Sequence, residues 1–102
     1  MIEITNEQRE VLKLAIEIYG ERSQTDIIIE EMSELTKALL KLRRATDSGQ
    51  IAQAQKTDHI EEEMGDVAIM LTQLEMIFDA DNVQKWANAK IDRLARRLHG
   101  EV

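Results

Sequence analysis

The segment IIEEMSELTKALLKL, residues 28–42, decides the fold. Its apolar side chains recur at intervals of three and four residues, which is the spacing of one face of an α-helix. We expect these side chains to form a buried seam: Ile28, Met32, Leu35, Leu39 and Leu42. Charged and polar residues lie between them, so the segment predicts a long amphipathic helix with one face turned towards the core.

Three further helices flank this segment in the predicted fold. Thr5 and Gln8 have capping-box spacing at the start of the first helix, and Gly20 is expected to end it. Residues 50–56 are polar and fit either a short helix or a connection. The other expected N-caps are Ser23 or Thr25 for the second helix, Thr57 or Asp58 for the third, and Asp81 for the fourth.

The third and fourth helices have apolar seams of their own. The third carries Ile60, Met64, Val67, Leu71, Leu74 and Phe78, and the fourth carries Val83, Trp86, Ala87, Ile91, Leu94, Ala95 and Leu98, which we expect to point inward. No strand-like alternation interrupts this pattern. The sequence therefore predicts an all-α, four-helix bundle-like fold, with residues 1–102 forming a single domain.

The composition favours helices and narrows the classes of function. The chain has no proline and only four glycines, the two residues that most often break helices. A net charge of −7 argues against nonspecific binding to nucleic acid, and fits either an acidic surface or carboxylates that bind a cation. With no cysteine, no signal peptide and no apolar run of the ~20 residues that span a bilayer, we expect a cytoplasmic protein without thiolate sites.

Two acidic pairs predict a metal site. Glu31 and Glu34 lie three residues apart on the second helix, and Glu63 and Asp66 lie three apart on the third, so each pair shares a helix face beside its seam. If the seams face each other, the four carboxylates converge and repel one another unless protons or a cation neutralise them. Oxygen ligands suit Mg²⁺ or Mn²⁺, and neither histidine falls within the pairs. One such pair alone is usually a solvated helix face, but two pairs beside two seams favour a ligand set.

The same residues resemble a known family. Glu30–Leu35 reads Glu-Glu-x-x-Glu-Leu and Glu62–Val67 reads Glu-Glu-x-Gly-Asp-Val, a combination similar to that of the MazG-like all-α nucleoside triphosphate pyrophosphohydrolases. Weaker similarities lie at Gly20 and Gln24, and at Asn88, Lys90 and Arg93. The resemblance implies Mg²⁺-dependent cleavage of a nucleoside or deoxynucleoside triphosphate between its α and β phosphates, giving the monophosphate and pyrophosphate. It also implies a homo-oligomer, a dimer or a tetramer, and a house-cleaning role in nucleotide pools.

The resemblance places its metal ligands at Glu31, Glu34, Glu63 and Asp66. Either Glu31 or Glu34 is expected to be the catalytic base, and the sequence does not choose between them. The candidate substrate-binding residues are Gln24, Lys37, Asn88, Lys90 and Arg93. Lys37 fits an ordinary ion pair with Glu34 at least as well, and core packing is the preferred role of Tyr19 and Trp86.

The sequence also fits two other functions. Phosphoribosyl-ATP pyrophosphohydrolase activity fits the acidic motifs as well as other triphosphate hydrolysis does. A noncatalytic helical interaction module that uses its acidic faces for docking belongs to a different class. Release of pyrophosphate from a panel of nucleotides separates the enzymes from the module.

Overall fold

A computed structural model describes residues 2–47 and 54–100 as four helices without a strand. They are α1 (Asn6–Tyr19), α2 (Glu21–Asp47), α3 (Ala54–Ile77) and α4 (Ala80–Leu98). The all-α prediction is thereby confirmed for this part of the chain. None of the described helices is long and apolar enough to cross a membrane.

The ends of α1 follow the sequence signals. Thr5 accepts a hydrogen bond from the Gln8 backbone nitrogen at 3.0 Å, and its own backbone nitrogen donates to the Gln8 side chain at 2.9 Å. This reciprocal pair is the predicted capping box. Gly20 ends α1 with a φ of 92°, a conformation that glycine adopts far more readily than other residues.

Three other helix starts were predicted too far along the chain. α2 begins at Glu21, directly after Gly20, so Ser23 and Thr25 lie inside the helix and do not cap it. α4 is capped by Asp79, which accepts a hydrogen bond from the Asn82 backbone nitrogen at 3.1 Å. The described part of α3 already begins at Ala54, ahead of Thr57 and Asp58. Of the ambiguous segment 50–56, residues 54–56 belong to α3 and residues 50–53 lie outside the described part of the chain.

α2 and α3 form an antiparallel hairpin, and α1 packs against both of them. Gln24 near the start of α2 is hydrogen-bonded to Gln73 near the end of α3, which fixes the antiparallel direction. The buried apolar residues of the described chain all lie in these two helices: Ile28, Ala38, Ala45, Ile60, Ala68 and Met70. The hairpin is therefore the core of the molecule.

The buried seam of α2 differs from the predicted one. Its less exposed positions recur with alternating spacings of four and three: Gln24, Ile28, Glu31, Leu35, Ala38, Leu42 and Ala45. Met32 and Leu39, which were expected inside, are 41% and 48% exposed. The seam of α3 is displaced in the same way, with Glu63 in the seam and Met64 54% exposed. In both helices a glutamate occupies a seam position that the sequence pattern assigned to the neighbouring methionine.

The prediction that the apolar side of α4 points inward is wrong for this chain. Val83, Ile91, Leu94 and Leu98 are between 47% and 76% exposed. Among the described helices α4 approaches only α3, to which it is joined through Phe78 and Asp79. It leaves the hairpin at this connection without covering the core.

Candidate metal centre

Three of the four predicted carboxylates come together. One oxygen each from Glu31, Glu63 and Asp66 lies within 4.8 Å of the other two. We call these residues the acidic trio. Glu31 and Glu63 occupy facing seam positions of α2 and α3, and Asp66 lies one turn along α3 on the exposed side of the seam. The trio therefore depends on the pairing of two helices, and a single helix does not form it.

The environment of Glu31 opposes its negative charge. Partial burial raises the pKa of the Glu31 carboxyl, and the neighbouring carboxylates of Asp66 and Glu63 raise it further. Glu30 and Glu34 contribute smaller effects in the same direction. A carboxyl in these surroundings is stabilised by binding a proton or a cation. This is the electrostatic condition that the sequence pattern predicted for converging acids.

Glu34 lies outside the acidic trio. Its carboxylate is 3.6 Å from the Lys37 ammonium group, one turn later on α2, and both side chains are largely exposed. This is the ordinary ion pair that the spacing allowed for Lys37, and such exposed pairs are worth little, about 0–1 kcal/mol. Both groups therefore remain accessible from solvent at the edge of the trio.

His59 is a neighbour of the trio that the sequence-based site lacked. Its Nε2 lies 3.7 Å from a Glu63 oxygen and its Nδ1 lies 3.8 Å from a Glu62 oxygen. These three residues also have ligand atoms within 4.8 Å of one another. The missed signal is the spacing of four residues between His59 and Glu63, which places both on one face of α3.

The donor set of the acidic trio fits a hard divalent ion. All three donors are carboxylate oxygens, the ligand type that Mg²⁺ and Mn²⁺ prefer. Mg²⁺ usually keeps several waters and takes only one or two carboxylates together with phosphate oxygens. The exposed position of Asp66 leaves one side of the trio open to water or to a phosphate.

Gln24 lies in the core between the helices. It is 5% exposed, and its Nε2 donates to Gln73 Oε1 at 2.9 Å. Gln73 in turn donates to the Leu12 carbonyl at 3.1 Å, so the pair joins all three packed helices. The Gln24 Oε1 atom has no hydrogen-bond partner within the described residues. Gln24 precedes Glu31 by seven residues and Gln73 follows Asp66 by seven, so the two glutamines form a polar layer two turns from the trio.

The candidate substrate residues of α4 are not brought to the trio. Asn88, Lys90 and Arg93 are exposed, and α4 does not approach α2, which carries Glu31. Asn88 accepts a hydrogen bond from the Gln84 side chain at 2.9 Å. Lys90 and Arg93 lie three residues apart on one face, whereas Asn88 and Lys90, two residues apart, do not face each other.

No protein-family model matches the chain, and neither the curated proteins nor the solved structures give a significant match. The resemblance therefore rests on the residues of Glu30–Leu35 and Glu62–Val67 themselves. The spatial grouping of Glu31, Glu63 and Asp66 is independent of it, because it comes from the packing of α2 against α3.

Proposed function

We propose that the chain is a Mg²⁺-dependent nucleoside triphosphate pyrophosphohydrolase with a MazG-like all-α fold. The observation that carries this proposal is the acidic trio, three carboxylate oxygens within 4.8 Å of one another on two paired helices. The two motifs that supply the trio are the ones that resemble the family. A homo-oligomer in the cytoplasm, acting on nucleotide pools, is part of the same proposal.

Glu31, Glu63 and Asp66 are the residues that would hold the metal, with Mn²⁺ as an alternative to Mg²⁺. When bound, the metal neutralises phosphate oxygens and lowers the pKa of a coordinated water. The raised pKa of Glu31 supports this role, because the carboxyl is stabilised by any cation that relieves its repulsion with Asp66 and Glu63.

The reaction needs a base as well as ligands. Water attacks a phosphorus atom of the α–β anhydride, the bond to the bridging oxygen breaks, and the products are the monophosphate and pyrophosphate. Of the two candidate bases, Glu34 lies outside the trio, so its carboxylate does not bind the metal. It would therefore accept the proton of the attacking water. Its only ion-pair partner in the described chain is Lys37, at 3.6 Å.

Lys37 is the best placed of the candidate substrate-binding residues. Its exposed ammonium group lies next to Glu34 at the rim of the trio, where it would contact a phosphate of the substrate. Lys90, Arg93 and Asn88 would act only if α4 approached a trio, which it does not do within this chain. Gln24 supports the helix pairing through Gln73, and its role towards substrate is the weakest of the five.

The test is pyrophosphate release from a panel of ribo- and deoxynucleoside triphosphates and phosphoribosyl-ATP, with Mg²⁺, with Mn²⁺ and with a chelator. We expect release that requires metal and that is strongest for one member of the panel. Phosphoribosyl-ATP as the preferred substrate would select the alternative activity. No release from any substrate under either metal would overturn the proposed function.

The alternative of a noncatalytic helical interaction module is favoured by one observation, the exposed apolar side of α4. Thermal unfolding with and without Mg²⁺ separates it from the enzyme, because a ligand that binds only the folded state raises the melting temperature. A metal site at the trio gives such a rise, and a module without a site gives none.

A further inference from the structure

A second group of possible metal ligands on α3 overlaps the acidic trio. His59, Glu62 and Glu63 each offer one ligand atom, and these atoms lie within 4.8 Å of one another. Glu62 and Glu63 follow His59 by three and four positions, so the helix itself holds all three side chains on one face. We call these residues the histidine cluster. Of the two such groups among the described residues, it is the one that contains an imidazole.

The spacing within the histidine cluster is wider than a hydrogen bond. The His59 Nε2 atom lies 3.7 Å from a Glu63 oxygen, and the Nδ1 atom lies 3.8 Å from a Glu62 oxygen. Hydrogen bonds from nitrogen to oxygen span about 2.7–3.2 Å. Two ligands that bind one tetrahedral zinc ion at about 2.1 Å lie about 3.4 Å from each other. The observed distances are nearer to this separation, so the cluster has the spacing of ligands around one ion.

The packing of the hairpin fixes one member of the histidine cluster and leaves the other two open. The Glu63 side chain is 13% exposed, whereas those of His59 and Glu62 are 58% and 70% exposed. Glu63 is therefore held in place before an ion arrives, which reduces the entropy lost on binding. The two exposed side chains can turn towards an ion that enters from solvent, and water can supply a fourth ligand.

The donors of the histidine cluster favour a different class of ion from those of the trio. An imidazole nitrogen suits zinc, copper, iron and nickel, whereas carboxylate oxygens alone suit Mg²⁺ and Mn²⁺. The two carboxylates balance the charge of one divalent ion, and the imidazole binds it in the neutral form. The chain has no cysteine, so no thiolate site competes for such an ion.

We propose that His59, Glu62 and Glu63 bind a transition-metal ion of the zinc class, and that this ion competes with Mg²⁺ for Glu63. Glu63 belongs to both the histidine cluster and the trio. An ion beside His59 neutralises the Glu63 carboxylate and places positive charge next to the trio, so each ion weakens the binding of the other. The zinc site does not depend on catalysis, whereas its competition with Mg²⁺ rests on the proposed function.

The first test is the affinity of the full chain, without a histidine tag, for Zn²⁺, measured by competition with a chromophoric zinc indicator. His59→Gln should weaken zinc binding by more than ~10-fold, because even changes around a metal ligand cost 10–100-fold. The matched control is His99→Gln, at the other histidine of the chain, which follows the end of α4. It should bind zinc like the wild type. Equal affinities of the wild type and His59→Gln would overturn the proposal, and so would an equal loss in His99→Gln.

The second test observes the imidazole in the wild type, so it does not depend on how His59→Gln folds. The chain has two histidines, and the His99→Gln protein assigns their ring-nitrogen signals in NMR spectra. Zn²⁺ should shift the signal of one ring nitrogen of His59 at concentrations that leave the His99 signals unchanged. Equal shifts for both residues would mean that each binds zinc as an isolated side chain, and would overturn the proposal.

The third test measures the competition for Glu63. The rise in melting temperature that Mg²⁺ gives is compared with and without one equivalent of Zn²⁺. We expect zinc to reduce this rise in the wild type and to leave it unchanged in His59→Gln. A full rise in the zinc-loaded wild type would overturn the competition. If Mg²⁺ gives no rise even without zinc, the proposed magnesium centre and the competition both fail, while the first two tests decide the zinc site.

Discussion

The α2–α3 hairpin and α4 have similar sequence patterns and different surroundings. Both are amphipathic, and both repeat apolar residues at intervals of three and four. In the hairpin, Ile28, Ile60 and Met70 are at most 8% exposed, whereas in α4 Ile91 and Leu94 are 63% and 48% exposed. The comparison teaches that an apolar stripe predicts that a helix face is covered, and does not say whether the same chain covers it.

The hairpin also differs from α4 in where its acids lie. Glu31 and Glu63 occupy seam positions among the core residues, and Glu31 has a raised pKa as a result. The charged residues of α4 include Asp81, Lys85 and Arg96, all exposed. Charge inside a seam lowers the stability of the fold unless it is neutralised, so it indicates that a proton or a cation binds there. Charge on an exposed face indicates solvation or docking.

The largest effect is expected from removing a carboxylate of the trio. Glu63→Ala should reduce pyrophosphate release by more than ~100-fold, because substitutions that merely disturb the orientation of metal ligands already cost 10–100-fold. The rate is measured under saturating Mg²⁺, with circular dichroism as a check that the helices remain.

The matched control is Glu30→Ala, which removes the carboxylate next to Glu31 in the sequence, a residue that is not part of the trio. It should retain activity within a few fold of the wild type. If both variants lose activity equally, the trio is not the metal centre of the reaction. If Glu63→Ala loses its helices, the residue serves the hairpin and not the reaction.

The next largest effect, on the free energy of unfolding, is expected from breaking the hydrogen bond between Gln24 and Gln73 that links α2 to α3. Gln73→Leu removes the acceptor of the Gln24 amide and the donor to the Leu12 carbonyl. The Leu12 carbonyl keeps its place in the hydrogen-bond ladder of α1, but the buried Gln24 amide group is left without an acceptor. We therefore expect the free energy of unfolding to fall by about 1–3 kcal/mol, measured by urea denaturation at one protein concentration. The double variant Gln24→Leu/Gln73→Leu should lose less, because it removes both side-chain amides. A double variant that loses the sum of both single effects would show that the pair is not coupled.

Much of the fold was predictable from the chain, but the register of its seams was not. The capping box at Thr5 and the stop at Gly20 depend on local backbone chemistry, and both predictions are confirmed. Met32 and Met64 were assigned to the seams because they are apolar, and both are exposed. The adjacent glutamates lie in the seam instead, a choice that depends on the partner helix and cannot be derived from one helix alone.

The same reasoning explains how much of the site was predictable. Spacing within one helix brings Glu63 and Asp66 together, and the pairing of helices adds Glu31, as expected. Glu34 lies one turn after Glu31 but at an exposed position outside the trio, although its spacing from Glu31 is the same as that of Asp66 from Glu63. Whether Lys90 and Arg93 reach the trio depends on where the whole of α4 lies. The sequence has no local signal for that position.

A smaller effect is expected in how the melting temperature depends on protein concentration, which tests whether a second copy covers α4. If unfolding is coupled to dissociation of a dimer, dilution lowers the melting temperature, because a tenfold change in concentration is worth about 1.4 kcal/mol. For two chains of this length, that corresponds to roughly 3 °C per tenfold dilution. The measurement is a set of melting curves over three decades of concentration, with Trp86, the single tryptophan, as a fluorescent reporter on α4. A melting temperature independent of concentration would mean that the hairpin is stable without a second copy.

The smallest effect concerns the charge held inside the hairpin seam. The folded-state pKa of Glu31 is raised above its ordinary value of 4.5, so the stability it contributes is fully present below pH 4.5 and is lost as the pH rises through the raised pKa. At neutral pH, without metal, the ionised carboxylate therefore destabilises the fold, and Glu31→Gln should raise the melting temperature slightly, because solvent screens a partly exposed group. The difference from the wild type should disappear below pH 4.5, and added Mg²⁺ should stabilise the wild type but not the variant. Glu17→Gln, on the exposed side of α1, is the control and should show neither effect. A lower melting temperature for metal-free Glu31→Gln at neutral pH would mean that Glu31 supports the helix pairing, and that its place in the seam is structural.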